Sequence, residues 1–258
     1  MSITPPLIDD GSMDVHIDDG VATVRFGHHK SNALPGVLLR TMAATIESTS
    51  RRDDVRVIVL RSEGQRAFCA GASFDELIAI ADPAAGKEFF LGFARVILSM
   101  IDAPVPVVTA VQGKVVGGGV GLVAASDYCI AVEKASLKLS ELAIGIGPFV
   151  VGPVIERKIG PGPFGAMALD ADWRDAAWAE RHGLYAEVVA DAAALDAAVA
   201  LRAQSIAAAN PEATRGIKRA LWQGTEHWEK LLDERAATSG ELVLSEFTRA
   251  AITKFKTS

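Results

Sequence analysis

Apolar and polar positions change in blocks along the first half of the chain. Val21 to Phe26, Val55 to Leu60 and Val105 to Val111 are short runs rich in β-branched residues, each bounded by Gly, Pro or Asp, and they predict strands. Between them, Leu38 to Ile46 and Lys87 to Met100 repeat their apolar residues at three- and four-residue spacing, which predicts helices. Tyr128 to Val132 predicts another strand. Leu137 to Leu139 and Ile144 to Ile146 predict short extended pieces separated by Glu141 and Gly145. The pattern is an α/β alternation with strands too brief for a large open sheet. From Asp172 the periodicity predicts helix throughout, with Asp172 as an N-cap and Gly183 as a stop. Asn210-Pro211 marks the end of one helix near Ala209 and the start of the next. The expected division is a core over 12–190 and a helical region over 191–258, with the boundary near Asp191.

Composition narrows the possibilities. Half of the 258 residues are apolar, enough for a substantial core. A net charge of −6 without a dense Lys/Arg run argues against nucleic acid or an anionic membrane as the main partner. Cys69 and Cys129 sit in apolar stretches with no C-x-x-C spacing, which suits packing in a reduced compartment and excludes a cysteine-built metal site. No apolar run reaches about 18 residues and the opening carries no basic and apolar leader, so a cytoplasmic location without membrane insertion is expected. The first dozen residues read as a loose leader. His16, His28, His29, His182 and His227 show no metal-binding spacing, and no serine lies in a G-x-S-x-G elbow, so neither metal nor serine-nucleophile chemistry is expected. Trp222 and Trp228, at near-helical spacing, read as packing or interface residues.

Three segments carry candidate chemistry. Val115 to Gly121 places Gly117, Gly118, Gly119 and Gly121 at a strand-to-helix turn, where backbone approaches a ligand closely and the first helical amides lack internal partners. The same run also serves as a plain tight turn. Ala67 to Leu77 is a second strand-to-helix turn of small residues, in which Ser73 or Asp75 caps the helix. Converging amides of Ala72 and Gly118 would form a two-donor oxyanion hole. Glu141 is the third candidate, a carboxylate in an apolar segment leading to Pro148. Burial would raise its pKa toward neutrality and suit it to general acid–base work, whereas on an alternating strand it would simply face solvent.

In order, spacing and content, Ala67 to Leu77, Lys114 to Asp127 and Leu139 to Pro148 resemble the enoyl-CoA hydratase/isomerase family, the crotonases. The resemblance runs from about Val15, through Ser31-Asn32-Ala33-Leu34, to Asp172-Trp173-Arg174-Asp175-Ala176 and Gly183-Leu184. It implies a spiral of ββα turns with a C-terminal helical region that builds a homotrimer or a dimer of trimers. It also implies an acyl-CoA substrate, so that coenzyme A enters as part of the thioester and no cofactor is permanently bound. By resemblance Ala72 and Gly118 donate to the thioester oxygen and Glu141 is the acid–base residue. The loop of Phe68, Ala70, Gly71 and Ala72 receives the coenzyme, Lys30 and Arg66 are candidates for its phosphates, and Gly117, Gly121, Pro148 and Phe149 line the acyl pocket. Three positions depart from the family. Gly121 stands where hydratases commonly have a first glutamate, Ser73 where the family usually has Asp, and Phe149-Val150-Val151 replaces the usual glycines. The single-glutamate pattern also looks like that of methylglutaconyl-CoA-type hydratases.

Gly119 to Ala124 formally fits the dinucleotide fingerprint G-x-G-x-x-A, but Glu141 falls beyond the next strand rather than at its end, which counts against that reading. The resemblance leaves hydration of a 2-enoyl-CoA first, delta3-delta2 isomerisation second, decarboxylation or thioester hydrolysis behind them, and a non-catalytic acyl-CoA-binding role as the alternative class.

Overall fold

A computed structural model describes residues 10–256. An antiparallel hairpin opens the chain, β1 (Ser12–Asp18) pairing with β2 (Val21–Gly27) from Ser12↔Gly27 to Asp18↔Val21. The expected leader therefore stops before Ser12, and its first nine residues lie outside the described ones. Helix α1 (Gly36–Ser50) follows and buries Leu38, Leu39, Met42 and Ile46, the stripe its periodicity predicts.

The next three passages of chain share one plan, and that plan builds the site. Strand β3 (Val57–Ser62) is followed by the short β4 (Ala67–Cys69) and then by helices α2 (Phe74–Ala79) and α3 (Pro83–Ile101). Next come β5 (Val107–Val111), the short β6 (Lys114–Val116) and α4 (Gly118–Ala124). The third passage is β7 (Tyr128–Val132), the short β8 (Ser136–Lys138) and a 3-10 turn, Leu142–Ile144. In each passage the first strand joins one parallel sheet beside its predecessor, β2-β3-β5-β7, while the short strand joins a second sheet, β4-β6-β8. The chain is thus a spiral of ββα turns. Because parallel neighbours end on the same side, the segments leaving β4, β6 and β8 emerge together along one edge.

The remainder closes the two sheets and covers them. Helices α5 (Gly152–Ile159) and α6 (Pro161–Asp170) lead to β9 (Arg174–Asp175), α7 (Ala176–Arg181) and β10 (Glu187–Val189). Strand β9 pairs antiparallel with β8, and β10 pairs with β7, completing sheets of four and six strands. Helices α8 (Ala192–Ala207), α9 (Pro211–Leu221), α10 (Trp228–Leu242) and α11 (Glu246–Lys256) follow. Helix α8 lies across the large sheet, and α10 packs along α3.

Several local expectations shift. The strands begin at Val57 and Val107 rather than Val55 and Val105: Val55 closes a turn onto the Arg52 carbonyl, and Pro106, which has no amide to donate, gives only its carbonyl to Ile58. Ile144 ends a 3-10 turn instead of starting an extended piece, and Gly145 is left-handed. Asp175, not Asp172, caps α7 by accepting from the Trp178 amide, and β9 and β10 interrupt the helix expected from Asp172 onward. Brief strands do build a six-stranded sheet, because each passage of the spiral adds one. Asn210 caps α9 with Pro211 in its first turn, as predicted.

Candidate active site

Strand β6 ends in a turn that only glycine adopts easily. Gly117 has φ +53 and ψ −121, and its amide donates to the Lys138 carbonyl of the neighbouring β8 at 2.9 Å. A Cβ at Gly117 would lie 3.1 Å from Glu141 Oε1. The glycine therefore brings bare backbone against the carboxyl group. Gly118 begins α4, and the Phe93 ring of α3 packs directly against it.

The segment leaving β4 runs alongside. Gly71 (φ +90) comes so near β6 that a Cβ there would lie 3.1 Å from the Val116 carbonyl oxygen. The Gly71 carbonyl accepts from the Leu34 amide and the Ser73 amide donates to the Leu34 carbonyl, forming an isolated parallel bridge between Leu34 and Ala72. In extended backbone alternate amides face opposite ways, so the Ala72 N–H turns away from Leu34. The amides of Ala72 and Gly118 have no acceptor among the described residues. Ser73 then caps α2 by accepting from the Glu76 amide, the capping role expected of it.

Glu141 follows β8 and sits at the head of the 3-10 turn, not on an alternating strand. The residue is half-buried, but its Oε2 is shut off from solvent and has no hydrogen-bond partner among the described residues. Burial pushes the carboxyl up to about 7, partly offset by its own amide and that of Ser140. A group poised there both takes and returns a proton near neutral pH.

One cavity of about 50 Å³ joins these parts, with Ala70, Gly71, Ala72, Gly117, Gly118, Glu141, Pro148 and Phe149 in its lining. The other sequence candidates lie elsewhere. Gly121 does not line the cavity: it is buried one turn along α4, where a Cβ would lie 2.5 Å from Val151 Cγ1. Phe68 is fully buried against Phe26, its ring centroid 5.4 Å away, so its side chain belongs to the core. Lys30 pairs with Asp75 in the first turn of α2, one residue from the cavity-lining Phe74. Arg66 is exposed at a separate open hollow with His28, His29 and Glu63. Sequence reasoning missed the far wall, notably Phe90 and Phe93 of α3 and Ser239 of α10. The aromatic spacing on α3 was a usable signal, whereas nothing local marks Ser239. Among the described residues no group of His, Cys, Asp or Glu could hold a metal ion, and no single helix is long and apolar enough to cross a membrane.

The chain is similar to known proteins in both sequence and fold. The sequence pattern of the enoyl-CoA hydratase/isomerase family matches residues 16–252. A (7aS)-7a-methyl-1,5-dioxo-2,3,5,6,7,7a-hexahydro-1H-indene-carboxyl-CoA hydrolase of Mycobacterium tuberculosis is 30% identical over 210 residues, spanning 79% of this chain and 81% of the relative. The mitochondrial methylglutaconyl-CoA hydratase of Mus musculus is 32% identical over 204 residues, spanning 76% of this chain and 63% of the relative. The crystal structure of an enoyl-CoA hydratase from Mycobacterium avium superposes with a TM-score of 0.83 at 25% identity, covering 95% of this chain and 96% of that one. With its α/β spiral and the near-complete match, the chain belongs to the enoyl-CoA hydratase/isomerase family.

Proposed function

We propose that the protein hydrates a 2-enoyl-CoA, holding the thioester oxygen as an enolate between the Ala72 and Gly118 amides. The observation that carries this reading is the Glu141 carboxyl, with its buried Oε2 unpartnered, in one cavity with two acceptor-free amides among the described residues. Glu141, as carboxylate, takes a proton from the water whose oxygen bonds to the β-carbon. Electrons of the double bond move onto the thioester oxygen, where two backbone donors are worth a few kcal/mol each. Glu141 then returns the proton to the α-carbon, so water is added and the carboxylate is restored. Coenzyme A enters and leaves as part of the thioester.

A second reading, migration of a double bond from the 3- to the 2-position, is favoured by the filled space behind Gly121. Val151 leaves no room there for a second carboxylate, and one base suffices to remove an α-proton and return it at the γ-carbon. Assaying matched 2-enoyl- and 3-enoyl-CoA substrates separates the two. Hydration predicts 3-hydroxyacyl-CoA from the 2-enoyl substrate, and formation of only the 2-enoyl product from the 3-enoyl substrate selects the second reading. Binding of both without turnover refutes catalysis altogether.

A further inference from the structure

We infer that the acyl pocket takes a short, uncharged acyl group and that the ring of Phe149 sets its depth, an inference that rests on the acyl-CoA reading above. Space is the first argument. A water needs roughly 10–15 Å³ of such room, and the cavity offers about 50 Å³. It therefore holds only a few carbon-sized groups, which suits a short acyl chain such as butyryl or crotonyl.

Charge is the second. Phe74, Phe90, Phe93, Ile146, Phe149 and Val151 contribute apolar side chains to the lining, and among the described residues no Lys, Arg or His does. The lysines of the adjoining strands β6 and β8, Lys114 and Lys138, are engaged over the Trp173 ring at 5.1 and 5.0 Å. Lys30 is engaged with Asp75. An acyl chain ending in a carboxylate would bury that charge without a cation, near Glu141, at high cost. A methylglutaconyl group carries such a second carboxylate. Among the described residues the pocket has no lining cation for such a far end.

Phe149 lines the cavity and folds back on its own backbone. Gly147 has φ +85, and a Cβ there would lie 2.8 Å from Phe149 Cε2, so the ring packs against bare backbone. The next two residues, Val150 and Val151, are buried. Shortening this one lining side chain enlarges the pocket without removing a proton-transfer group.

Butyryl-, octanoyl- and glutaryl-CoA, none of which can be hydrated, test this by titration calorimetry with the full chain. Wild type is expected to bind butyryl-CoA at least about tenfold more tightly than either of the others. F149A, with F149L as the milder variant should the first misfold, is expected to recover most of the octanoyl-CoA loss and none of the glutaryl-CoA loss. Octanoyl-CoA binding wild type as tightly as butyryl-CoA overturns the depth argument, and equal glutaryl-CoA binding overturns the charge argument. Unchanged octanoyl-CoA affinity in both variants removes Phe149 from the account. Failure of all three thioesters to bind sinks the acyl-CoA reading itself, an outcome distinct from indiscriminate binding, which sinks only this inference.

Discussion

Asp127 and Glu141 are two buried carboxylates with opposite surroundings. Asp127, just before β7, accepts from the Lys218 ammonium at 2.8 Å, the Trp222 indole at 2.7 Å and the Val107 amide at 2.7 Å. Lys218 itself also donates to the Met100 and Val105 carbonyls. Every oxygen of Asp127 is committed, and the cluster ties α9 to the core. Glu141 faces an apolar cavity with one oxygen uncommitted. A satisfied buried charge fixes structure, whereas an unsatisfied one is maintained at a cost in stability and is free to handle a proton.

Substitutions at the two sites are expected to separate activity from stability. The largest effect belongs to E141Q, which is expected to lower kcat for the enoyl-CoA substrate about 10²–10⁴-fold, as loss of a general acid–base group does. Its unfolding midpoint should be nearly unchanged below about pH 4, where the carboxyl is protonated in both the folded and the unfolded chain. D127A reverses the pattern. Removing one partner from a buried pair leaves Lys218 uncompensated and is expected to cost about 3–5 kcal/mol in urea unfolding, while Glu141, Gly117 and Gly118 stay unchanged.

A third expectation concerns pH. The carboxyl of Glu141 is raised from its ordinary value of 4.5 to about 7 in the folded chain. Between those values the unfolded chain gives up this proton while the folded chain keeps it, so Glu141 lowers stability as pH rises and the penalty is complete above about 7. E141Q should therefore be more stable than wild type at pH 8 by about 3 kcal/mol at most, with the difference vanishing below the ordinary carboxylate range. In the wild type, kcat/KM should rise with pH through about 7 as the base form appears. The smallest effect is at Asp196, an exposed carboxylate 2.7 Å from Arg61. D196A should change stability by about 0–1 kcal/mol, and a larger loss would show that partnering alone, without burial, decides these values.

Much of the site was legible because its parts depend on local chemistry. Gly117 must adopt a positive φ, Ser73 caps α2, and Glu141 interrupts an apolar segment, all features that a short window displays. The fold's repeated strands were legible where both faces are buried, as in β3, β5 and β7. Strand β1 was not, because three of its central residues, Asp14, Val15 and His16, are exposed and it reads as polar chain. The cap at Asp175 was misplaced to Asp172, since both precede the same helix and only the pairing of β9 with β8 decides between them. The contact of Val151 with Gly121, the ring of Phe149 over Gly147 and the union of Asp127 with Lys218 join positions that no periodicity relates.

Hydrogen exchange at the α-carbon of butyryl-CoA in deuterated buffer, followed by NMR, tests the central assignment most directly, because it needs only the enolate and one base and no water addition. Wild type is expected to exchange the α-proton, and E141Q to bind butyryl-CoA comparably while exchanging at least about 100-fold more slowly. Exchange at the wild-type rate in E141Q would contradict the account and place the proton-transfer group elsewhere in the cavity.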